Sequence, residues 1–204
     1  VAAEKAAVDA AEAAKHAAGE MLVDGSFEQA NDAGNTWSHF KAVGGWRSDM
    51  HGSKAVHLDA VAEREGLPLL RFDYSGHGQS SGHWRDGTIS KWVAESLAIF
   101  RHAAPHTCVL VGSSMGAWIT LRLLAELHNA GEGHRIKGLV LIAPAPDFAM
   151  ELIEPNLTDK ELSDLATQGW FEEPSDYLTE PNRWSKAFLE DGHANRVLSG
   201  IIET

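Results

Sequence analysis

The chain has little of several things that decide fold and chemistry. It has one cysteine, Cys108, in 204 residues, so no internal disulfide forms. Cys108 opens an apolar run and reads as a buried packing residue rather than a reactive thiol. Basic residues are scarce: 17 Lys and Arg stand against 29 Asp and Glu, a formal net charge of −12. No basic stripe is present to follow a phosphate backbone, which argues against nucleic acid as a partner and leaves solubility as the main consequence of the charge. No apolar run approaches the roughly 18 residues that span a bilayer. The chain starts at Val1, and no arginine precedes Arg47. Without a long apolar segment near the start, neither a secretory signal nor a transit peptide is expected, and the default location is cytoplasmic. Histidines are scattered, and Pro105 between His102 and His106 breaks helical metal-ligand spacing, so no metal site is expected.

What is present is a chain 44% hydrophobic, enough for one domain that buries about 70% of its unfolded surface. Residues 1–38 read as an Ala-rich N-terminal extension whose first 18 residues favour helix. No convincing strand is expected between about 19 and 39. From there the pattern becomes regular. A short strand at His39–Val43 precedes a helix at Ser53–Glu65, closed by Gly66. Leu67–Tyr74 reads as a strand, then a Gly- and Ser-rich loop, then a helix at Thr88–His102 with Thr88 as N-cap. Cys108–Val111 and Gly138–Ala143 read as buried strands around a helix that ends near Asn129. Strands alternating with helices predict an α/β fold with a mostly parallel sheet covered on both faces. Residues 39–148 form that core. Residues 149–204 form a lid-like, mainly helical region with Pro155, Pro174 and Pro181, without an obvious strand, and with short helices near Glu161–Thr167 and Trp184–Glu190.

One segment carries chemistry. Gly112-Ser113-Ser114-Met115-Gly116 lies between the Cys108 strand and the following helix. A bare G-x-S-x-G arises by chance in roughly one chain in ten of this length. The strand before it and the helix after it are the context in which it means a nucleophile elbow, with Ser114 as the nucleophile. A serine nucleophile needs donors aimed at the oxyanion. Met115 N–H, at the positive end of the helix, is one donor. Gly44-Gly45-Trp46, in a loop between strand and helix, offers Trp46 N–H as the second; read by itself, the glycine pair is equally well a simple turn.

Four segments in order, Gly44–Met50, Arg71–Gly82, Gly112–Gly116 and Ala143–Phe148, resemble the α/β-hydrolase superfamily. More narrowly they resemble its palmitoyl-protein thioesterase and acyl-glucuronide esterase branch, over roughly residues 43–200. The resemblance implies a serine hydrolase that cleaves a small acyl ester or thioester through an acyl-serine intermediate, with Ser114 as nucleophile, Trp46 and Met115 as oxyanion hole, and no metal or organic cofactor. In the family the chain order is Ser, then acid, then His. That pattern places the acid just past Thr204 and the histidine further on, so both partners are expected outside these residues, and the early strands of the family are replaced by the Ala-rich stretch.

Substitutes within the chain are few. His128 ends the helix leaving the elbow, and His134 lies before the next strand at the wrong end of the sheet. His193, in the lid-like region, remains as a candidate base. Asp147, after the strand that follows the elbow, is a candidate acid, with turn hydrogen bonding the favoured role. Asp73 and His77 are expected to make structural hydrogen bonds. Trp92 and Trp118 are expected in the core, while Trp170, Phe171 and Trp184 line an acyl pocket or pack within the lid. The competing reading is a non-catalytic binding or scaffold relative that has kept the elbow.

Overall fold

A computed structural model describes residues 27–30, 39–103, 107–175, 179–200 and 202. The helix expected over residues 1–18 lies outside them. Strands β1 (Phe27–Ala30), β2 (His39–Val43), β3 (Leu69–Phe72), β4 (Cys108–Ser113) and β5 (Ile136–Ile142) form one sheet in the order β1-β3-β2-β4-β5. β2 runs parallel to β3 and β4, and β4 parallel to β5, while β1 joins the edge antiparallel to β3. β1 corrects the sequence reading, which found no strand there. Its Phe27↔Phe72 to Ala30↔Leu69 register depends on a partner about 40 residues away, and FEQA alone carries no β signal.

The helices are α1 (Ser53–Glu65), α2 (Ile89–Ala103) and α3 (Met115–Asn129). Alternation along β3 sorts them onto opposite faces, because successive strand side chains point to opposite sides. Leu70 and Phe72 pack in one cluster with Trp92 of α2 and Trp118 of α3. Leu69 packs with Ala62 and Leu58 of α1, and Arg71 pairs with Asp59 of α1 at 3.0 Å. Behind β4, Cys108 and Leu110 meet Phe100, Leu123 and Leu127, which fixes α2 and α3 against the central strand. The N-cap expected of Thr88 is made: its Oγ1 accepts from Lys91 N–H at 3.2 Å. No helix among the described residues is long and apolar enough to cross a membrane.

Beyond β5 the chain leaves the sheet. A π-helical turn (Ala149–Ile153), a 3-10 turn (Glu154–Asn156) and α4 (Asp159–Thr167) precede a two-stranded hairpin, β6 (Trp170–Glu173) with β7 (Asn182–Ser185), and then α5 (Lys186–Ala194). The hairpin is a second correction. Trp184, expected to open a helix, belongs to β7, and Ser185 caps α5 by accepting from Phe188 N–H at 3.1 Å. The cross-strand pair Phe171↔Trp184 is buried, whereas Glu172↔Arg183 faces outward as an ion pair at 2.8 Å. Each strand has four residues, too few to display a period of two by themselves.

Candidate active site around Ser114

The register aligns the C-terminal ends of three parallel strands. Val43 is level with Gly112, and Ser113 with Ile142, so the loops after β2, β4 and β5 emerge on one rim. Open parallel sheets place their ligand sites at this rim.

Ser114 alone separates β4 from α3, with φ 54° and ψ −122°. The turn is tight because α3 lies directly on β4: a Cβ on Gly112 would come within 2.6 Å of Ala117 Cα and 2.7 Å of the Gly116 carbonyl. Only glycine admits that approach. The backbone of Ser114 is held on both sides. Its N–H donates to the Ile142 carbonyl at 3.0 Å, and its carbonyl accepts from Ala117 N–H at 3.0 Å and Ala145 N–H at 3.3 Å. Met115 follows as the first residue of α3, fully buried, with an N–H that has no partner within its own helix.

The loop after β2 closes over this turn. Ser48 N–H donates to the Gly45 carbonyl at 3.1 Å. A Cβ on Gly45 would sit 3.2 Å from Ser114 Cβ and 3.7 Å from its Oγ, so the loop backbone touches the serine. Trp46, next in the chain, is stacked on Trp184 at 4.4 Å and meets Trp92 edge-on at 5.9 Å. The far end of the loop is clamped by Asp73, whose carboxylate accepts from Met50 N–H at 2.6 Å and Gln79 N–H at 3.0 Å. Arg71 donates to the Met50 carbonyl as well. Asp73 thus does the structural hydrogen bonding expected of it.

Ser114, Gly45 and Trp46 line one cavity of about 710 Å3. Met50, Val111, Ile142, Phe148 and Trp184 give it apolar walls, and Arg47 and Lys54 add charge. Of the three lid aromatics, Trp184 reaches the cavity. Phe171 is buried in the core, and Trp170 packs against Trp84 at 5.4 Å under the guanidinium of Arg85. Trp92 and Trp118 are fully buried, as expected.

The remaining candidates are placed elsewhere. Asp147 is fully buried at φ 56°, and both its oxygens accept from Val197 N–H (3.0 and 3.1 Å) while one also accepts from Leu198 N–H at 2.8 Å. It fastens the chain after α5 to the loop after β5. His193 is half exposed on α5, with Nε2 2.9 Å from both carboxylate oxygens of Glu154. Neither residue lines the cavity, and among its described lining residues there is no histidine and one carboxylate, Asp49. The structure therefore brings Ser114, Met115 and Trp46 together and leaves Asp147 and His193 apart. His77 is buried beside Trp46, its ring 6.1 Å away, and donates from Nδ1 to the Ser75 carbonyl at 3.4 Å. Burial pushes its pKa below the usual imidazole value, against the opposing pull of that carbonyl and of Asp73.

One contact at the site had no signal in the sequence. Arg47, at φ 54°, donates from Nη1 to the carbonyls of Glu180 (3.2 Å) and Pro181 (2.7 Å), next to β7. A single arginine in a loop does not announce backbone acceptors over 130 residues away.

Comparison with known proteins agrees with this fold. Among curated proteins, the mitochondrial palmitoyl-protein thioesterase ABHD10 of Mus musculus is 31% identical over 150 residues, which cover 68% of this chain and 48% of that protein. The Homo sapiens protein of the same name is 31% identical over 140 residues, covering 68% and 43%. The chain spans about half the length of the curated relatives it matches. The mitochondrial location in their names differs from the cytoplasmic one expected here from sequence. Among solved structures, a protein from Agrobacterium vitis S4 is 49% identical with a TM-score of 0.81, covering 86% of this chain and 68% of that one. Mouse alpha/beta hydrolase domain-containing protein 10 is 25% identical with a TM-score of 0.70, covering 86% and 67%. Residues 33–200 match the alpha/beta hydrolase family, and the chain belongs to it.

Proposed function

We propose that Ser114 is the nucleophile of a serine hydrolase acting on carboxylic esters or thioesters. The observation that carries this reading is Ser114 at φ 54° between β4 and α3, facing a cavity of about 710 Å3 under the Gly45–Trp46 loop. Ser114 Oγ attacks the acyl carbon, and the proton it gives up ends on the departing alcohol or thiol. The carbonyl oxygen takes the developing charge onto Met115 N–H and Trp46 N–H. The alcohol or thiol leaves with that proton, and water then attacks the acyl-serine, releasing the acid and returning a proton to Ser114 Oγ. The two donors act in a largely apolar site where charge stabilisation is strong, and losing one such donor typically costs about 2.7–4 kcal/mol. Asp147 and His193 have no part in this reading, because their polar atoms are engaged with residues 197–198 and with Glu154. The thioesterase names of the curated relatives support the acyl-transfer chemistry.

A non-catalytic binding protein of the same fold is the second reading. It is favoured by the absence of histidine among the described residues that line the cavity. A fluorophosphonate probe separates the two. The hydrolase reading expects covalent labelling of the folded chain that disappears in Ser114→Ala. A folded chain that stays unlabelled, or labelling that survives the substitution, sinks it.

A further inference from the structure

The loop that carries the proposed donor Trp46 is not held by the sheet alone. Its next residue, Arg47, reaches across to the β6–β7 hairpin and donates from Nη1 to two adjacent main-chain carbonyls, those of Glu180 and Pro181. Trp46 meets the same hairpin by stacking on Trp184, with the rings 26° apart. Two successive residues of the loop thus grip two points of one hairpin, one through a charged nitrogen that donates twice and one through a ring face.

The backbone supplies no reason for an arginine here. Arg47 takes φ 54°, where any L side chain is strained and glycine is not. What arginine adds over glycine at this position is its guanidinium and where that goes. Among the described residues no carboxylate pairs with Arg47, and its guanidinium donates to main-chain oxygens. Main-chain acceptors do not titrate and cannot turn away from the hairpin. Both bonds leave one nitrogen of a planar guanidinium, whose two N–H directions are fixed in the plane of the group, whereas the N–H bonds of an ammonium rotate freely.

We propose that Arg47 is a positioning residue: it fastens the oxyanion loop to the β6–β7 hairpin, so that Trp46 N–H is held beside Ser114 only while the hairpin is docked. The consequence for reactivity rests on the serine-hydrolase reading, whereas the fastening does not. The hairpin then acts as a brace for the donor loop as well as a wall of the cavity.

Hydrogen exchange by mass spectrometry and fluorophosphonate labelling, run on the full chain with Arg47→Ala and Arg47→Lys, test the two parts. Ala leaves the backbone about as constrained as arginine does and removes the paired donation; Lys keeps the charge without the planar, fixed N–H pair. In Arg47→Ala, amides in 44–50 and in 179–185 are expected to exchange about tenfold faster, with those of β4 unchanged. Ser114 labelling is expected to slow by about tenfold, and Arg47→Lys to fall between. If Arg47→Ala does not fold, the Lys variant is read by the same criteria. The proposal is overturned if residues 44–50 keep their protection, if protection is lost throughout including β4, or if a parent chain that labels well is matched by its variants. A parent that never labels but shows the exchange pattern overturns the hydrolase reading and leaves the tether standing.

Discussion

Gly45→Ala, set beside Gly44→Ala, tests the site at the place where the loop after β2 touches Ser114, the proposed nucleophile. Neither glycine has a left-handed φ, so alanine adds no backbone strain at either position. The difference is what the new methyl meets. At 44 it finds Ser48 atoms at 3.6–3.9 Å, ordinary contact. At 45 it lies 3.2 Å from Ser114 Cβ and 3.3 Å from the Ser113 carbonyl oxygen. Ordinary carbon contacts are about 3.5–4.0 Å, so roughly half an ångström must be found. Ser113 cannot yield it, being the last residue of a central strand paired with Ile142. The loop therefore moves away from Ser114 and takes Trp46 N–H with it. Overpacking costs about 1–3 kcal/mol, and two contacts above 3.0 Å put this case near 1, a melting shift of about 2–4 °C. Misplacement by about 1 Å costs about 100-fold in rate, so half of that gives about tenfold slower labelling of Ser114 by a fluorophosphonate. Gly44→Ala should stay within about twofold in rate. Equal labelling rates for the two variants would falsify the placement of the loop as a donor to the serine.

Asp147→Ala should cost about 2–4 kcal/mol in denaturant unfolding, because Val197 and Leu198 lose a charged acceptor. Asp147→Asn keeps one acceptor oxygen and tolerates φ 56°, and should cost about half as much. Both should label at Ser114 within about twofold of the parent; if Asn abolishes labelling with the melting temperature intact, Asp147 belongs to the chemistry instead. His77 adds a pH dependence. Its pKa is lowered in the fold by burial, so between that value and about 6.5 the unfolded chain binds more protons. Its stability contribution is complete above about pH 6.5 and is lost as pH falls toward the folded value. Burial raises Glu95, whose contribution has the opposite slope, so the comparison must be with His77→Gln rather than with a flat line. Unfolding titrations from pH 5 to 7.5 should show the rising limb flattened in that variant, and an unchanged slope would show that His77 does not carry it.

β4 and β5 were legible because each holds a short apolar run bounded by turn residues, their helices because each shows an apolar side, and the elbow because its glycine is required by a close helix–strand contact. Thr88 as a cap was legible for the same local reason. β1, β6 and β7 were not. Their pairing is settled by partners such as Phe72 and by buried pairs such as Phe171 with Trp184, and no four-residue window contains that information. At the site, residue types were readable but partners were not. Asp147 and His193 had the right chemistry for acid and base, yet folding commits one to two amides and the other to Glu154.

Backbone strain locates the site independently of the motif. Among the described residues, Arg47, Ser114, Ala143 and Asp147 are the non-glycine positions with φ between 44° and 56°. All four follow the C-terminal ends of β2, β4 or β5, on the rim where the strand ends are level. Three of them line the cavity, and the fourth holds the loop that follows Ala143. Each such residue costs of order 1–3 kcal/mol and persists only where surrounding contacts over-determine it. Those contacts are visible: carbonyls for the Arg47 guanidinium, β5 and α3 for the Ser114 backbone, and residues 197–198 for Asp147. A fold with no use for this rim gains nothing by holding strained residues there, since glycine would relieve every one of them. At three of the four positions the side chain offers something glycine cannot. For Arg47 and Asp147 it is to tie loops in place. For Ser114, whose backbone is held by main-chain bonds that glycine would also make, the use proposed above is the hydroxyl as nucleophile.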